Sequence, residues 1–340
     1  LGTPQSLIAF KAGSGKPSHS VACELETSPE TCSCVASDES GHLMAAAFGK
    51  TVRIYANIPA GFHKLAEFRA DHAEKESGVN SMAFIRRTAG GNGSGDARGA
   101  VLLATGGEDG KLRVWELSAD SSRNYDGHSQ DRPPSVQEKL VGECKGHAKP
   151  ITCVRFHPSA NVVLTASKDG TCRMWDWQRT SEAALLTTTT GLPPSVKAPL
   201  VMCRSCCFSP DKPDLIFSVQ SGQRGSAYVT TWRYSIEEAD GSGRGMKCAV
   251  EPIRVACVSK HPATTLTVRS DGARLAVGNV EGTVLIYRLP GFAKVMEHPA
   301  HDLPVTGLGF ASGKAGVALG GYDLLAGSAD YKITLFKSQG

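Results

Sequence analysis

The sequence predicts an all-β chain folded as a seven-bladed β-propeller, and three observations carry that expectation. An aromatic residue closes a short apolar strand at a nearly regular interval: Tyr55, Trp115, Trp175, Trp232, Tyr287 and Phe336 lie 60, 60, 57, 55 and 49 residues apart. Ahead of most of them stands the same strand–turn–strand pattern, with turns such as Asp109-Gly110, Asp169-Gly170 and Glu281-Gly282. Gly accepts the positive φ that such hairpin turns require. The third observation is compositional. Gly is abundant at 37 residues while aromatics make up 6%, which suits many short strands joined by tight turns.

Residues 146–177, GHAKPITCVRFHPSANVVLTASKDGTCRMWDW, form the clearest unit. With a Gly-His start, a turn at Asp169 and a Trp175-Asp176 end, this stretch resembles a WD repeat. Such a unit is a small sheet too apolar on both faces to stand alone, so it predicts neighbours of its own kind. A WD unit needs roughly 40–45 residues, and the longer spacing here implies insertions. Four are legible by composition: 88–100 is Gly-rich, 118–138 is polar with Pro133-Pro134, 180–199 holds a Thr run and Pro193-Pro194, and 237–247 is acidic and then Gly-rich. All four read as surface loops.

Taken in order, the units fall at roughly 1–26, 27–58, 72–118, 146–178, 200–235, 263–290 and 300–338 of a single propeller spanning 1–340. In the first, two strands at 7–10 and 21–25 flank the segment 11–20 and end on Leu25 instead of an aromatic. The next two run from 43–46 to 51–55 and from 102–105 to 112–115. The unit at 200–235 has an enlarged turn at 221–227. The last two pair 275–277 with 284–287 and 324–326 with 333–336. Seven blades close a ring and leave no exposed sheet edge, which favours that number.

Six residues before an anchor lie Asp109, Asp169, Glu281 and Asp330. In WD repeats this acidic residue bonds within its turn and towards the repeat's His. His147 is the clearest such His, and His72 and His301 are weaker candidates. Trp115 and Trp175 are the strongest anchors. Asp169, His147 and Ser167 could be mistaken for a hydrolase triad, but an acidic position recurring in four units has a repeated structural cause. The chain is therefore not expected to do covalent chemistry.

Composition narrows the partners. With 340 residues, 41% of them hydrophobic, the chain can bury a large core. Its net charge of +4, from 37 basic and 33 acidic residues, gives no sign of broad attraction to nucleic acid or membrane surfaces. Arg86-Arg87 is a lone basic pair, so no nucleic-acid partner is expected. The 11 cysteines are odd in number and scattered, which argues against a disulfide framework and for a reducing compartment. Cys203 and Cys206 have C-x-x-C spacing with no second pair at zinc-ligand distance. No stretch reaches the ~18 apolar residues of a membrane span. The chain begins at Leu1 and reads as a trimmed soluble domain.

Three stretches carry a closer resemblance: 266–310, LTVRSDGARLAVGNVEGTVLIYRLPGFAKVMEHPAHDLPVTGLGF; 203–232, CRSCCFSPDKPDLIFSVQSGQRGSAYVTTW; and 102–117, LLATGGEDGKLRVWEL. They resemble the prolactin regulatory element-binding protein family, the endoplasmic-reticulum WD-repeat exchange factors for Sar-type small GTPases. The resemblance runs from about residue 7 to residue 336. It implies a guanine-nucleotide exchange domain on the cytosolic face of the endoplasmic reticulum, starting assembly of the COPII vesicle coat, with a membrane anchor outside this chain. It also implies a Gly-rich exchange loop in the first unit that holds a potassium ion through backbone carbonyls. The matching segment contains Gly13, Ser14, Gly15, Lys16, Pro17, Ser18 and His19. The Gly-run-then-Lys pattern is met by Gly13, Gly15 and Lys16, and the carbonyls of Gly13 and Gly15 would face the ion. Pro17, Ser18 and His19 follow where the family has Gly, an aliphatic residue and Asn. Read from its residues alone, 11–20 is also a solvated hairpin loop, and a non-catalytic WD scaffold is the alternative function. A phosphate-loop reading of Gly13-Ser14-Gly15-Lys16 lacks the helix that should follow it.

Overall fold

The structure, a computed structural model, describes residues 5–11, 20–28, 32–38, 41–58, 61–71, 78–87, 100–119, 136–188, 200–222, 225–237, 246–311, 323–330 and 332–337. Every regular element among them is a strand. Strands β1 (Gln5–Lys11) and β2 (Ser20–Ser28) pair with each other. One four-stranded sheet holds β3 (Cys32–Ser37), β4 (Leu43–Phe48), β5 (Thr51–Ile58) and β6 (Gly61–Arg69). The next holds β7 (Val79–Arg86), β8 (Val101–Gly107), β9 (Leu112–Ala119) and β10 (Val136–Cys144). A third holds β11 (Ile151–Phe156), β12 (Val162–Ser167), β13 (Cys172–Asp176) and β14 (Ser181–Leu186). Strands β15 (Met202–Phe208), β16 (Leu215–Ser221), β17 (Ala227–Glu237) and β18 (Lys247–Ser259) form the fourth. The fifth comprises β19 (Ala263–Val268), β20 (Arg274–Asn279), β21 (Thr283–Arg288) and β22 (Ala293–Pro299). A three-stranded sheet of β23 (Val305–Phe310), β24 (Leu324–Ser328) and β25 (Ile333–Phe336) ends the chain.

Each of these sheets is a meander in which strands adjacent in sequence are adjacent in space. The described residues thus form six blade sheets, not the seven expected. The first unit is a two-stranded ladder, and two strands alone cannot present the paired apolar faces of a blade. The expected units also stopped one strand short. The insertion placed at 180–199 opens with β14, and the polar 118–138 contains the end of β9 and the start of β10. Likewise β17 and β18 run into both ends of 237–247. Outer strands such as β10 are polar and largely exposed, with the pattern ieeeeiBiB, so their sequences read as loop.

Middle strands show the opposite pattern. All six residues of β12 and of β20 are buried. In β8, Leu102 and Ala104 join a cluster with Ile151, Val154, Val163 and Trp175, whereas Leu103 joins one with Ala45, Val52, Ile54 and Phe68. Side chains alternate across a strand, so a strand covered on both faces needs apolar residues at every position. A tryptophan such as Trp175, 1% exposed, contributes roughly 5 kcal/mol when it buries about 200 Å2 at about 25 cal/mol per Å2.

The innermost strand of most sheets carries a one-residue bulge. Register shifts skip Ser33, Asn80, Arg204, Thr264 and Thr306. Three of these side chains reach the next sheet: Ser33 Oγ donates to Val79 O at 2.6 Å, Asn80 Nδ2 to Ile151 O at 3.1 Å, and Thr264 Oγ1 to Val305 O. A bulge frees a side chain from the ladder and re-aims it, here as a stitch between sheets. At the seam after β15 the bulge residue is Arg204, whose Nε is buried and bonds to no described atom.

By its internal contacts the chain divides into two compact units: Leu1–Ala9, Val21–Thr165 and Trp175–Glu182 in one, and Phe10–Ser20, Ala166–Met174 and Ala183–Gly340 in the other. The first contains the sheets β3–β6 and β7–β10. The second contains β15–β18, β19–β22 and β23–β25.

Candidate functional site

The expected exchange loop is framed by described strands but is not itself described. Lys11 ends β1 and Ser20 begins β2, and the two strands are hydrogen-bonded neighbours. Gly13, Ser14, Gly15, Lys16, Pro17, Ser18 and His19, with the potassium assigned to Gly13 and Gly15, lie outside the described residues. So does His72.

The three tryptophan anchors are each tied by a hydroxyl that sequence reasoning missed. Trp175 Nε1 donates to Thr165 Oγ1 at 2.8 Å, and His147 Nε2 lies 2.8 Å from the same oxygen. The His147 and Trp175 rings meet edge-on with centroids 5.9 Å apart. Trp115 repeats the bond to Thr105 at 3.0 Å, and Trp232 to Ser218 at 2.8 Å. Buried indole N–H groups need an acceptor. The signal was present: Thr105 and Thr165 each stand ten residues before their tryptophan, while the enlarged turn of the Trp232 unit moves Ser218 to fourteen.

Three of the four acidic residues accept hydrogen bonds within their own turns. Asp109 Oδ1 accepts from Lys111 N at 3.1 Å, and its Oδ2 accepts from Arg113 Nη1 at 2.8 Å. Asp169 Oδ1 accepts from Thr171 N at 2.9 Å. Asp330 Oδ1 accepts from Lys332 N at 3.0 Å, and its Oδ2 lies 3.1 Å from His301 Nδ1. Burial alone would raise the Asp330 pKa, but the amides of Lys332 and Asp302 together with His301 hold it below the usual value. Glu281 departs from the pattern. Asn279 Oδ1 closes that turn by accepting from Glu281 N at 3.0 Å and Thr283 N at 2.9 Å, while the exposed Glu281 carboxylate sits 3.7 Å from His261. Its extra methylene carries the carboxylate past its own turn, and the shorter Asn two residues earlier takes over.

A second feature is a cleft of about 580 Å3 between the sheets β15–β18 and β19–β22. Phe217, Thr231 and Arg254 form one cross-strand row that runs from its buried floor to its exposed rim, since Phe217 pairs with Thr231 and Thr231 with Arg254. Opposite them stand Ala273, Leu289 and Phe292. Arg254 fixes this wall: Nη1 and Nη2 donate at 3.0 Å to Pro290 O and Gly291 O, and its guanidinium lies 5.2 Å from the Phe292 ring centroid. At the mouth, the Asp211 carboxylate accepts from Ser209 Oγ at 2.6 Å and packs where a side chain on Gly272 would lie. Phe217 is 4% exposed and Thr231 5%, so the floor is shielded while the rim is wet.

Among the described residues no group of three or more His, Cys, Asp or Glu is placed to hold a metal ion. Cys172 Sγ and Cys203 Sγ lie 3.2 Å apart as free thiols, a juxtaposition their sequence separation hides. No helix of the described residues is long and apolar enough to cross a membrane.

Comparison with known proteins agrees with this geometry. The repeat family described as "WD domain, G-beta repeat" matches residues 65–116 and 138–176, which contain Trp115 and Trp175. Similar proteins include coronin-like protein crn1 of Schizosaccharomyces pombe, 30% identical over 79 residues, or 23% of this chain and 12% of that protein. Pre-mRNA-processing factor 19 of Mus musculus is 28% identical over 178 residues, 51% of this chain and 29% of that protein. Angio-associated migratory cell protein of Homo sapiens is 27% identical over 195 residues, 57% of this chain and 33% of that protein. The matched part thus spans no more than about a third of any of these three. The fold class is a WD-repeat β-propeller.

Proposed function

We propose that this WD-repeat propeller is a protein-binding platform that promotes GDP release from a Sar-type small GTPase at the cytosolic face of the endoplasmic reticulum. The observation that carries the reading is the pairing of β1 with β2. It makes 12–19 the direct connection between two bonded strands, the setting that the resemblance implies for an exchange loop. Gly13 and Gly15 let the backbone turn its carbonyls to one side, where a hard alkali cation prefers oxygen ligands. An exchange factor needs no acid–base residues. It binds the nucleotide-free GTPase better than the nucleotide-bound form, and by linkage weakens nucleotide binding by the same factor.

The test is release of a fluorescent GDP from a Sar-type GTPase with and without the 340-residue chain. The proposal expects acceleration that disappears when residues 13–19 are replaced by a Gly-Ser linker. Unchanged release, or acceleration that survives the replacement, rejects it. The second reading, a non-catalytic scaffold, is favoured by the WD-repeat match itself. It predicts GTPase binding without acceleration, or no GTPase binding at all.

A further inference from the structure

We infer that Cys172 and Cys203 form a reversible dithiol–disulfide site, at which hydrogen peroxide joins strand β13 to strand β15. The inference is independent of the exchange reading. Its first support is contact: the two Sγ atoms lie 3.2 Å apart although the residues are 31 positions apart in sequence. A disulfide bond is about 2.05 Å long, so the sulfurs need to close by only about 1.1 Å. The second support is the clamp that holds them there. Cys203 pairs with Gln220 across β15 and β16. Gln220 Nε2 donates at 3.1 Å to Gly170 O, in the turn just before Cys172. Leu200 O occupies the place of a side chain on Gly170, so that turn is packed on the segment leading into β15. Both cysteines are 0% exposed, and in a close-packed interior neither thiol swings away without displacing its neighbours.

The geometry also overrides the C-x-x-C spacing of Cys203 and Cys206. Both lie on β15, where residues three apart are separated by about 10 Å, beyond the roughly 7 Å between Cα atoms that a disulfide spans. The sulfur that Cys203 meets belongs to Cys172 instead. The chemistry takes one peroxide per bond. One sulfur attacks a peroxide oxygen; S–O forms, O–O breaks, and the leaving hydroxide takes the thiol proton as water. The other sulfur attacks the resulting sulfenic sulfur; S–S forms, S–O breaks, and a second water carries off the remaining proton. Two electrons pass from the sulfurs to the peroxide. Because both thiols are shielded, the step suits a small oxidant admitted by brief local opening of the turn.

The test treats the reduced full chain with hydrogen peroxide, blocks remaining thiols by alkylation in urea, and maps the peptides by mass spectrometry without reductant. The expected product is a Cys172–Cys203 link, lighter by two hydrogens and reversed by dithiothreitol. The oxidised chain should melt about 5 °C above the reduced one, because the bond restricts the unfolded chain. Cys206→Ser should still form the link, and Cys203→Ser should not. A Cys203–Cys206 link, thiols that stay reduced, or a Cys172–Cys203 link no more frequent than in the urea-unfolded chain would overturn the inference. So would an oxidised chain no more stable than the reduced one, because the bond would then be distorting the packing around it. The map on the unsubstituted chain decides the matter even if a serine variant fails to fold.

Discussion

His301 Nδ1 lies 3.1 Å from Asp330 Oδ2, while its Nε2 is buried with no partner among the described residues. The contrast with His147, whose Nε2 meets Thr165 Oγ1 at 2.8 Å, has a simple origin. Counting from the acidic residue, Ala326 and Phe336 stand where the better repeat has Thr165 and Trp175, so the last sheet keeps half the network. Ala326→Thr should supply the missing oxygen and raise stability by about 0.5–1 kcal/mol. A thermal midpoint that falls would mean that the closed packing at Ala326 cannot admit the extra atoms.

The complete network gives the opposite experiment. Thr165→Val leaves both His147 Nε2 and Trp175 Nε1 without their shared oxygen. Unmade bonds at buried groups cost about 1–3 kcal/mol each, so the variant should lose about 2–4 kcal/mol in a denaturant titration. Thr165→Ser, which keeps the hydroxyl, should lose less than half as much.

Turn glycines give a sharper effect. Gly282 has φ +74°, and a Cβ there would lie 2.0 Å from His301 O. Gly282 O also accepts from His301 N at 3.1 Å. Strain at positive φ costs about 1–2 kcal/mol, and the clash with a backbone carbonyl adds to it. Gly282→Ala should therefore destabilise by more than about 2 kcal/mol. Gly291→Ala should be nearly neutral, because nothing lies within 4 Å of its would-be Cβ.

Acid sensitivity should concentrate at His157. Burial, with the nearby Arg87 charge adding to it, pushes this imidazole down from 6.5 to about 4. Its Nδ1 accepts from Ser159 N at 3.1 Å and Ala160 N at 2.8 Å, so the folded protein requires the neutral ring. Because the folded value lies below the unfolded one, the stabilisation is complete above pH 6.5 and is lost as pH falls towards about 4. One proton limits the slope to about 1.4 kcal/mol per pH unit. His157→Asn keeps an acceptor but cannot titrate, and should flatten the stability profile across that interval.

If the exchange reading holds, cation identity should matter. GDP release promoted by the chain should be faster in potassium than in sodium at equal ionic strength, and Gly13→Val with Gly15→Val should remove the difference. A rate indifferent to the cation would leave no role for those carbonyls.

Taken alone, the sequence determined the fold class, the positions of the anchors and most of the turn chemistry. A middle strand buried on both faces must be apolar at each position, and a hairpin turn must use Gly or a short acid, so both leave marks within a dozen residues. An outer strand such as β10 is largely exposed and carries no such mark, which is why its start reads as insertion. The shared oxygen of Thr165, the replacement of Glu281 by Asn279 and the proximity of Cys172 to Cys203 required the tertiary structure. The same is true of the cleft floored by Thr231. Each depends on which residues of different strands meet, and that is set by register and by the packing of one sheet on the next. Local sequence specifies a strand's own faces; only the assembled sheets decide which polar groups find partners and which, like Thr231 Oγ1, have none among the described residues.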